Sequence, residues 1–399
     1  MKILQISPQF PFPLDSGGKN GIYNITRQLS RFGAEIFFVA FSRFPLPEDY
    51  LHHFKTFCYP YVILENTANT FPKIVKYFIV NKPIFVEKYF TKKAKTFFSD
   101  LLKDIDFDII HLDHTAMFSV GKWISERTSK PVGLRLHNIE WLIWKRYLDE
   151  QKKYSPKRIF LRQQTELLRK VEAEAIRYAN VSFTCTEEDR QRALELAPKS
   201  KVYVAPPGVD LSLWELDPRI ERNPFEIVFA TTYQWQPNVD GLKWYLDNVH
   251  PLVISEEPRA KLTILGKNPP EFCKKYRNVD IIGYVPKVQP YYNRATVFVV
   301  PLFVASGVRM RIFEAMAMAL PVVSTKVGAE GIDADENFGL FICDDPKDFA
   351  NKLLELLKDT DRARIYGSRA REFVEKNFSI EKTIRIIFEQ YKQLVTKNT

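Results

Sequence analysis

The stretch Ala305-Ser306-Gly307-Val308-Arg309-Met310-Arg311-Ile312-Phe313-Glu314-Ala315-Met316-Ala317-Met318-Ala319-Leu320-Pro321-Val322-Val323-Ser324-Thr325 decides the fold. An apolar, strand-like segment, Val297 to Leu302, leads into it. The stretch opens on a small pair, Ser306 and Gly307, and carries Arg309 and Arg311 into an otherwise apolar helix with a single acid, Glu314. Pro321 is expected to stop that helix, and Val322 begins a second strand. A strand, a tight turn, a helix N-terminus and adjacent cations make an anion site. Glu314, three residues after Arg311, shares its helix face. The pattern suits a nucleoside diphosphate. Arg309, Arg311 and the amides of Ser306, Gly307 and Val308 would meet the phosphates, and the two oxygens of Glu314 would meet two ribose hydroxyls. The plainer readings are an N-cap and turn at Ser306 and Gly307, surface arginines, and a solvent-facing glutamate.

Outward from this stretch the chain alternates strands and helices. Met1–Ser7 reads as a buried strand, 8–18 as a Pro/Gly loop, Lys19–Phe32 as a helix capped by Gly33, and Ile36–Phe41 as the next strand. Further strands are expected at Tyr61–Leu64, Asp108–Leu112, Val132–Leu136, Val181–Cys185 and Val202–Ala205, with a long helix over Pro156–Tyr178. The pattern then restarts: a strand at Glu226–Thr231, a helix over Val239–Ile254, and strands at Lys261–Leu265, Val279–Ile282, Val297–Leu302, Pro321–Ser324 and Leu340–Cys343. Pro206-Pro207-Gly208 punctuates the junction. The fold class is α/β, two Rossmann-like domains facing a cleft. The expected boundaries are 1–212 for the first domain, 213–378 for the second, and 379–399 for a helix packing back on the first.

The bulk numbers agree with two domains. The chain has 399 residues, 45% hydrophobic and 27% charged, against roughly 100–200 residues per ordinary domain. Its four cysteines, Cys58, Cys185, Cys273 and Cys343, lie far apart and fit neither a disulfide framework nor a zinc spacing, which points to a reducing cytoplasm. No apolar run reaches the roughly 18 residues of a spanning helix, and no signal peptide is expected. The net charge of +10 admits nucleic acid, an anionic membrane surface or anionic small molecules as partners. No basic groove motif with aromatic stacking platforms is present, so nucleic acid is not expected. Lysines interleaved with Phe and Tyr over 55–103 suit an anionic membrane surface; a solvated helix face over an aromatic core is the alternative.

Other candidates stand at strand ends. Gly17 and Gly18 allow backbone to approach a ligand, and Lys19 and Asn20 follow at the helix start, facing donor phosphate or acceptor. His137 ends the strand Val132–Leu136, where a cleft residue belongs; a satisfied core histidine is the alternative. Asp113, between His111 and His114, is a candidate for acceptor contact, and no metal site is expected.

Taken in order, the glycine loop 8–20, Pro207-Gly208-Val209-Asp210, Ile281-Ile282-Gly283-Tyr284-Val285, and Val300-Pro301-Leu302 through Thr325 resemble the retaining family 4 nucleotide-sugar glycosyltransferases of the GT-B fold. The matching segment resembles a subgroup with Gly-x-Arg-x-Arg/Lys before Glu-Ala-Met-Ala. Members commonly carry a Glu-x7-Glu pair; Glu314 matches the second glutamate and Ser306 stands at the first. The cations usual after the first strand of the second domain are also missing from Thr231 to Asn238. The resemblance implies a hexosyltransferase of polysaccharide biosynthesis, cytoplasmic or membrane-associated, acting on a glycan or lipid-linked acceptor. It implies a nucleotide-diphosphate sugar as donor and neither cofactor nor metal. His137, Arg309 and Arg311 become the catalytic candidates, and Gly283, Tyr284 and Val285 join the donor site as base readers. An epimerase on the same fold and a non-catalytic nucleotide-sugar binding protein are the rival readings.

Overall fold

The computed structural model describes residues 1–14, 17–149, 151, 154–304 and 308–396. Ser306 and Gly307 lie outside the described residues. The chain divides into two compact units, Met1–Pro206 with Thr383–Thr399, and Pro207–Lys382. The division falls at 206/207 and 382/383, against sequence expectations of 212/213 and 378/379.

The first unit is a seven-stranded sheet of β1 (Lys2–Ser7), β2 (Glu35–Ser42), β3 (Tyr59–Leu64), β4 (Ile109–Leu112), β5 (Val132–Leu136), β6 (Val181–Thr184) and β7 (Val202–Val204). The order is β3-β2-β1-β4-β5-β6-β7, every pair parallel. Parallel strands covered by helices on both faces lose water on both faces, so they carry near-continuous apolar runs. Ile3, Leu4 and Ile6 of β1 and Phe38, Val39 and Ala40 of β2 are fully buried. Strand order reverses between β1 and β4, and ligands of such sheets bind beyond the carboxyl ends at that reversal.

The first helix spans Gly17–Arg31, which corrects the expected start at Lys19. Gly17 and Gly18 therefore form its first turn rather than the loop before it. Gly33, at φ 88°, closes its C-terminus in the left-handed conformation.

The second unit repeats the plan with β8 (Glu226–Ala230), β9 (Lys261–Leu265), β10 (Val279–Gly283), β11 (Val297–Val300), β12 (Val322–Ser324) and β13 (Leu340–Ile342), ordered β10-β9-β8-β11-β12-β13 and parallel. Its reversal lies between β8 and β11, so the chain that follows β11 leaves the sheet at the switch point. One expectation is corrected. The helix foreseen over Val239–Ile254 is three pieces: Gln236–Trp244, a π-helical turn Tyr245–Val249, and His250–Glu256. Pro251 has no amide to give the α-helical ladder, and the turn widens before it. The helix after β11 runs Met310–Ala317 and ends before Pro321. Ala319 turns left-handed at φ 52°, and its carbonyl would lie 2.0 Å from a Cβ on Gly367. Glycine at 367 is what lets that turn pack.

Candidate functional site

In the second unit the two sides of the switch point are brought together by a missing side chain. A Cβ on Gly241, in the helix after β8, would stand 2.0 Å from the Pro301 carbonyl just beyond β11. The helix therefore packs directly on the backbone that enters the 305–325 stretch. Arg309 caps the helix Met310–Ala317, and its guanidinium lies 5.9 Å from the ring centre of Trp235, on the β8 loop. Burial lowers the Arg309 pKa from its ordinary value, with Glu330 acting in the opposite sense.

Arg311 follows on the first turn, beside the hydroxyl of buried Tyr292 and the carboxylate of Glu314. Burial opposes its charge, yet Tyr292 and Glu314 outweigh that cost and hold its pKa above the ordinary value. Burial raises the Glu314 carboxyl, and Arg311 restores only part. A crowded carboxylate held next to a cation is a poor salt bridge but a ready acceptor for neutral hydroxyls. Val308 packs in the adjoining apolar cluster. Gly283, at φ 78°, ends β10, and Tyr284 after it is 71% exposed, while Val285 packs inward on the same cluster. The Gly266 amide donates to the Gly283 carbonyl at 2.8 Å, which joins the ends of β9 and β10.

In the first unit the carboxyl ends of β4 and β5 carry a compact charged cluster. Asp113 is fully buried. Its Oδ2 accepts from Gln5 Nε2 at 3.1 Å, and its Oδ1 lies 3.1 Å from Arg135 Nη1 and 3.0 Å from His137 Nε2. Asp113 therefore holds other side chains in place and has no surface for an acceptor, which corrects the expectation of direct contact. Burial opposes its charge, but nearby His111, the hydrogen-bonded His137 and the Arg135 charge hold its pKa well below the usual carboxylate range. Burial first, and Arg135 second, depress the His137 pKa to about 4, against the pull of Asp113. His137 is thus neutral near pH 7. Arg135 Nη1 lies 2.5 Å from its Nε2 and 3.2 Å from its Nδ1. A guanidinium only donates, so Nε2 cannot both accept from Arg135 and donate to Asp113.

The helix Gly17–Arg31 closes against this cluster. A Cβ on Gly21 would meet Arg135 Nη2 at 3.1 Å and His137 Cε1 at 3.3 Å. A Cβ on Gly17 would have nothing within 4 Å, and one on Gly18 only Gln9, at 3.8 Å. The first turn, with Lys19 and Asn20, is thus the open end of the helix nearest His137. Below, His114 stacks on His137 with ring centres 5.6 Å apart and pairs with Glu140 at 3.1 Å. Buried Glu172 accepts the amides of Glu140 and Trp141 at 3.1 Å each, capping the helix Glu140–Asp149 from a neighbouring helix. Burial raises the Glu172 pKa to about 7. Among the described residues no group of three or more His, Cys, Asp or Glu side chains is placed to hold a metal ion.

Two family models match, Glycosyltransferase Family 4 over residues 16–213 and Glycosyl transferases group 1 over residues 224–359. The chain is a glycosyltransferase. Each model falls on one of the two sheets described above. The glycosyltransferase is 22% identical over 403 residues to an uncharacterized 44.6 kDa protein in the cps region of Klebsiella pneumoniae, covering 98% of this chain and 99% of that one. Its fold is that of sucrose-phosphate synthase from Thermosynechococcus elongatus (TM-score 0.68, 17% identity, 100% of both chains). It is also that of Anabaena HepE, solved with UDP (TM-score 0.64, 14% identity, 98% of this chain and 100% of that one). These are the two Rossmann-like domains of the GT-B class.

Several residues of the candidate site do not stand out in the sequence. Arg135 had a signal: a lone charge inside the apolar strand Val132–Leu136. Trp235 and Tyr292 had none, because aromatic residues are frequent throughout this chain. Nor did Tyr391, which reaches the cluster from the far end of the sequence.

Proposed function

We propose that this glycosyltransferase moves a hexosyl group from a nucleotide-diphosphate sugar to a glycan or lipid-linked acceptor, with retention at the anomeric carbon and without a metal ion. The observation that carries the reading is the arrangement at the β8/β11 switch point: Arg309 over Trp235, then Arg311 beside Glu314 on the first turn of one helix. Glu314 takes two ribose hydroxyls through its two oxygens. Arg309 and Arg311 meet the diphosphate and stabilise the negative charge that grows on it as the glycosidic bond breaks. The acceptor hydroxyl attacks on the face the diphosphate leaves, and a departing phosphate oxygen takes its proton. The protein then supplies position and field rather than a nucleophile. Neutral His137, oriented by Asp113 and Arg135, turns its ring toward a sugar hydroxyl. Gly283, Tyr284 and Val285 contribute backbone groups toward the base. HepE has also been solved with UDP-glucose, which supports a uridine diphosphate sugar as the first donor to try. The cps-region relative supports polysaccharide biosynthesis.

The test is a thermal-shift and hydrolysis screen against UDP-, GDP- and ADP-sugars, with and without a chelator. At least one should raise the melting temperature, and the chelator should leave turnover unchanged. Glu314→Ala should abolish the nucleotide-dependent shift while sparing the melting temperature of the free protein. Silence toward every nucleotide sugar sinks the donor reading. Release of a free sugar with no acceptor dependence would favour an epimerase.

A further inference from the structure

The helix Phe71–Ile79 is built the wrong way round for a protein that faces only water. Its inner side is fixed: buried Tyr77 donates its hydroxyl to the Glu87 carbonyl at 3.0 Å, and Gln163 holds the Phe78 carbonyl at 3.1 Å. Phe71, Val75, Phe78 and Ile79 recur at the spacing of one helical face. That face points outward, with Phe71 77% and Ile79 73% exposed. Val80, at the helix end, is 49% exposed. Scattered exposed apolar residues are ordinary, but a contiguous apolar stripe on a short, pinned helix marks a contact surface.

Positive charge collects beside that stripe. The loop from β3 into the helix is clasped by three lysines: Lys93 donates to the Leu64 carbonyl at 2.6 Å, Lys73 to the Asn66 carbonyl, and Lys88 to Asn69 Oδ1 at 3.3 Å. Burial, then Arg43 and Lys73, depress the Lys88 pKa to about 8, so the cations stand close enough to repel one another. The helix Lys92–Asp104 opens on Lys92, Lys93 and Lys95 with no acid in its first turn, although helix N-termini favour acids. The nearby carboxylates are already engaged: Glu65 accepts from Thr91 at 2.9 Å, and Glu87 from Lys82 at 3.0 Å and Ser119 at 2.8 Å. The fold thus tolerates repulsion between cations at the edge of an exposed apolar stripe.

We propose that the helix Phe71–Ile79 and the cations around its entry loop form a docking surface for an anionic membrane, with Phe71, Val75, Phe78 and Ile79 entering the headgroup boundary and Arg43, Lys73 and Lys76 facing the lipid phosphates. Lipid chemistry is singled out over a second copy of the chain because a cationic rim would face its own like charge across a symmetric contact, whereas an anionic bilayer complements it. The inference stands apart from the donor site, since every residue in it belongs to the first unit.

The experiment sediments the full-length protein with vesicles of phosphatidylcholine alone and of phosphatidylcholine mixed with phosphatidylglycerol, at low and high salt. The protein is expected to pellet with the mixed vesicles and to be released by salt. Phe71→Ser with Ile79→Ser should weaken binding by about tenfold or more. Arg43→Gln with Lys76→Gln should weaken it by about fivefold for each charge removed. Both variants change exposed side chains, so melting temperature and donor hydrolysis should stay as in wild type. Equal pelleting of the apolar variant and wild type, or indifference to phosphatidylglycerol, overturns the proposal. So does a dimer in size-exclusion chromatography that the apolar variant dissolves while lipid binding is absent, which would make a second copy the occupant.

Discussion

The phenol of Tyr391, on the last helix, stands 2.6 Å from Nδ1 of His111 on β4. Burial holds the Tyr391 pKa well above its ordinary value, so the phenol is the donor and Nδ1 the acceptor. The remaining His111 hydrogen then sits on Nε2, 3.9 Å from Asp113 Oδ1. Asp113 in turn holds Arg135 and His137. The C-terminal helix thereby sets the orientation of a side chain at the open end of the first sheet.

Removing that donor should be costly. Tyr391→Phe leaves the buried Nδ1 unpaired, and the expected loss is about 1–3 kcal/mol in urea denaturation. A loss within error of zero would show that His111 finds another partner and that the chain of contacts is incidental.

Gly133 sits beneath the same ring. A Cβ there would meet the Tyr391 hydroxyl oxygen at 2.3 Å and its Cε1 at 2.4 Å. Gly133→Ala should cost about 1–3 kcal/mol by overpacking, and the double variant with Tyr391→Phe should cost less than the sum, since both act on one contact. Additivity of the two would contradict the packing described.

Two buried groups set opposing pH trends. His137 has a folded pKa of about 4 against 6.5 for a free histidine. The unfolded chain binds its proton first, so stability falls as pH drops through that window. Glu172 has a folded pKa of about 7 against 4.5. Its contribution is full below pH 4.5 and is lost as pH rises toward 7. Glu172→Gln removes that second trend, so its stability relative to wild type should improve between pH 4.5 and pH 7. A difference that stays flat across this range would falsify the assignment.

At the donor site, Trp235→Ala should weaken nucleotide-sugar binding by removing the face on which Arg309 rests. A cation–π contact of about 0.5–2 kcal/mol corresponds to a rise of about 2–30-fold in Kd. Titration calorimetry of Arg309→Ala and of the double variant checks it. If the two substitutions act independently, Trp235 does not work through Arg309.

Gly241→Ala tests whether the switch point is held by close backbone contact. With the Pro301 carbonyl 2.0 Å from the new Cβ, the helix Gln236–Trp244 or the strand end must move. A loss of about 1–3 kcal/mol is expected, together with weaker donor binding. Unchanged stability and binding would mean that the contact relaxes freely.

The alternation of strands and helices and the restart after Pro206-Pro207-Gly208 could be read from the chain alone. Each rests on local physics: apolar runs for covered parallel strands, glycine and proline at turns. The placing of His137 at a strand end, and of Arg309, Arg311 and Glu314 around one helix start, was legible for the same reason. The π-turn at Tyr245–Val249 was not read, although Pro251 stood in view, because apolar periodicity continues across it. The start of the first helix was misplaced because glycine carries no side chain to mark a periodicity. Tertiary structure alone decided the rest. It buried Asp113 and so took it from the acceptor, and it set Arg135 against His137. It also brought Tyr391 to His111 across 280 positions of sequence. Such pairs depend on the sheet orders β3-β2-β1-β4-β5-β6-β7 and β10-β9-β8-β11-β12-β13, and long-range closure leaves no local pattern for a sequence to show.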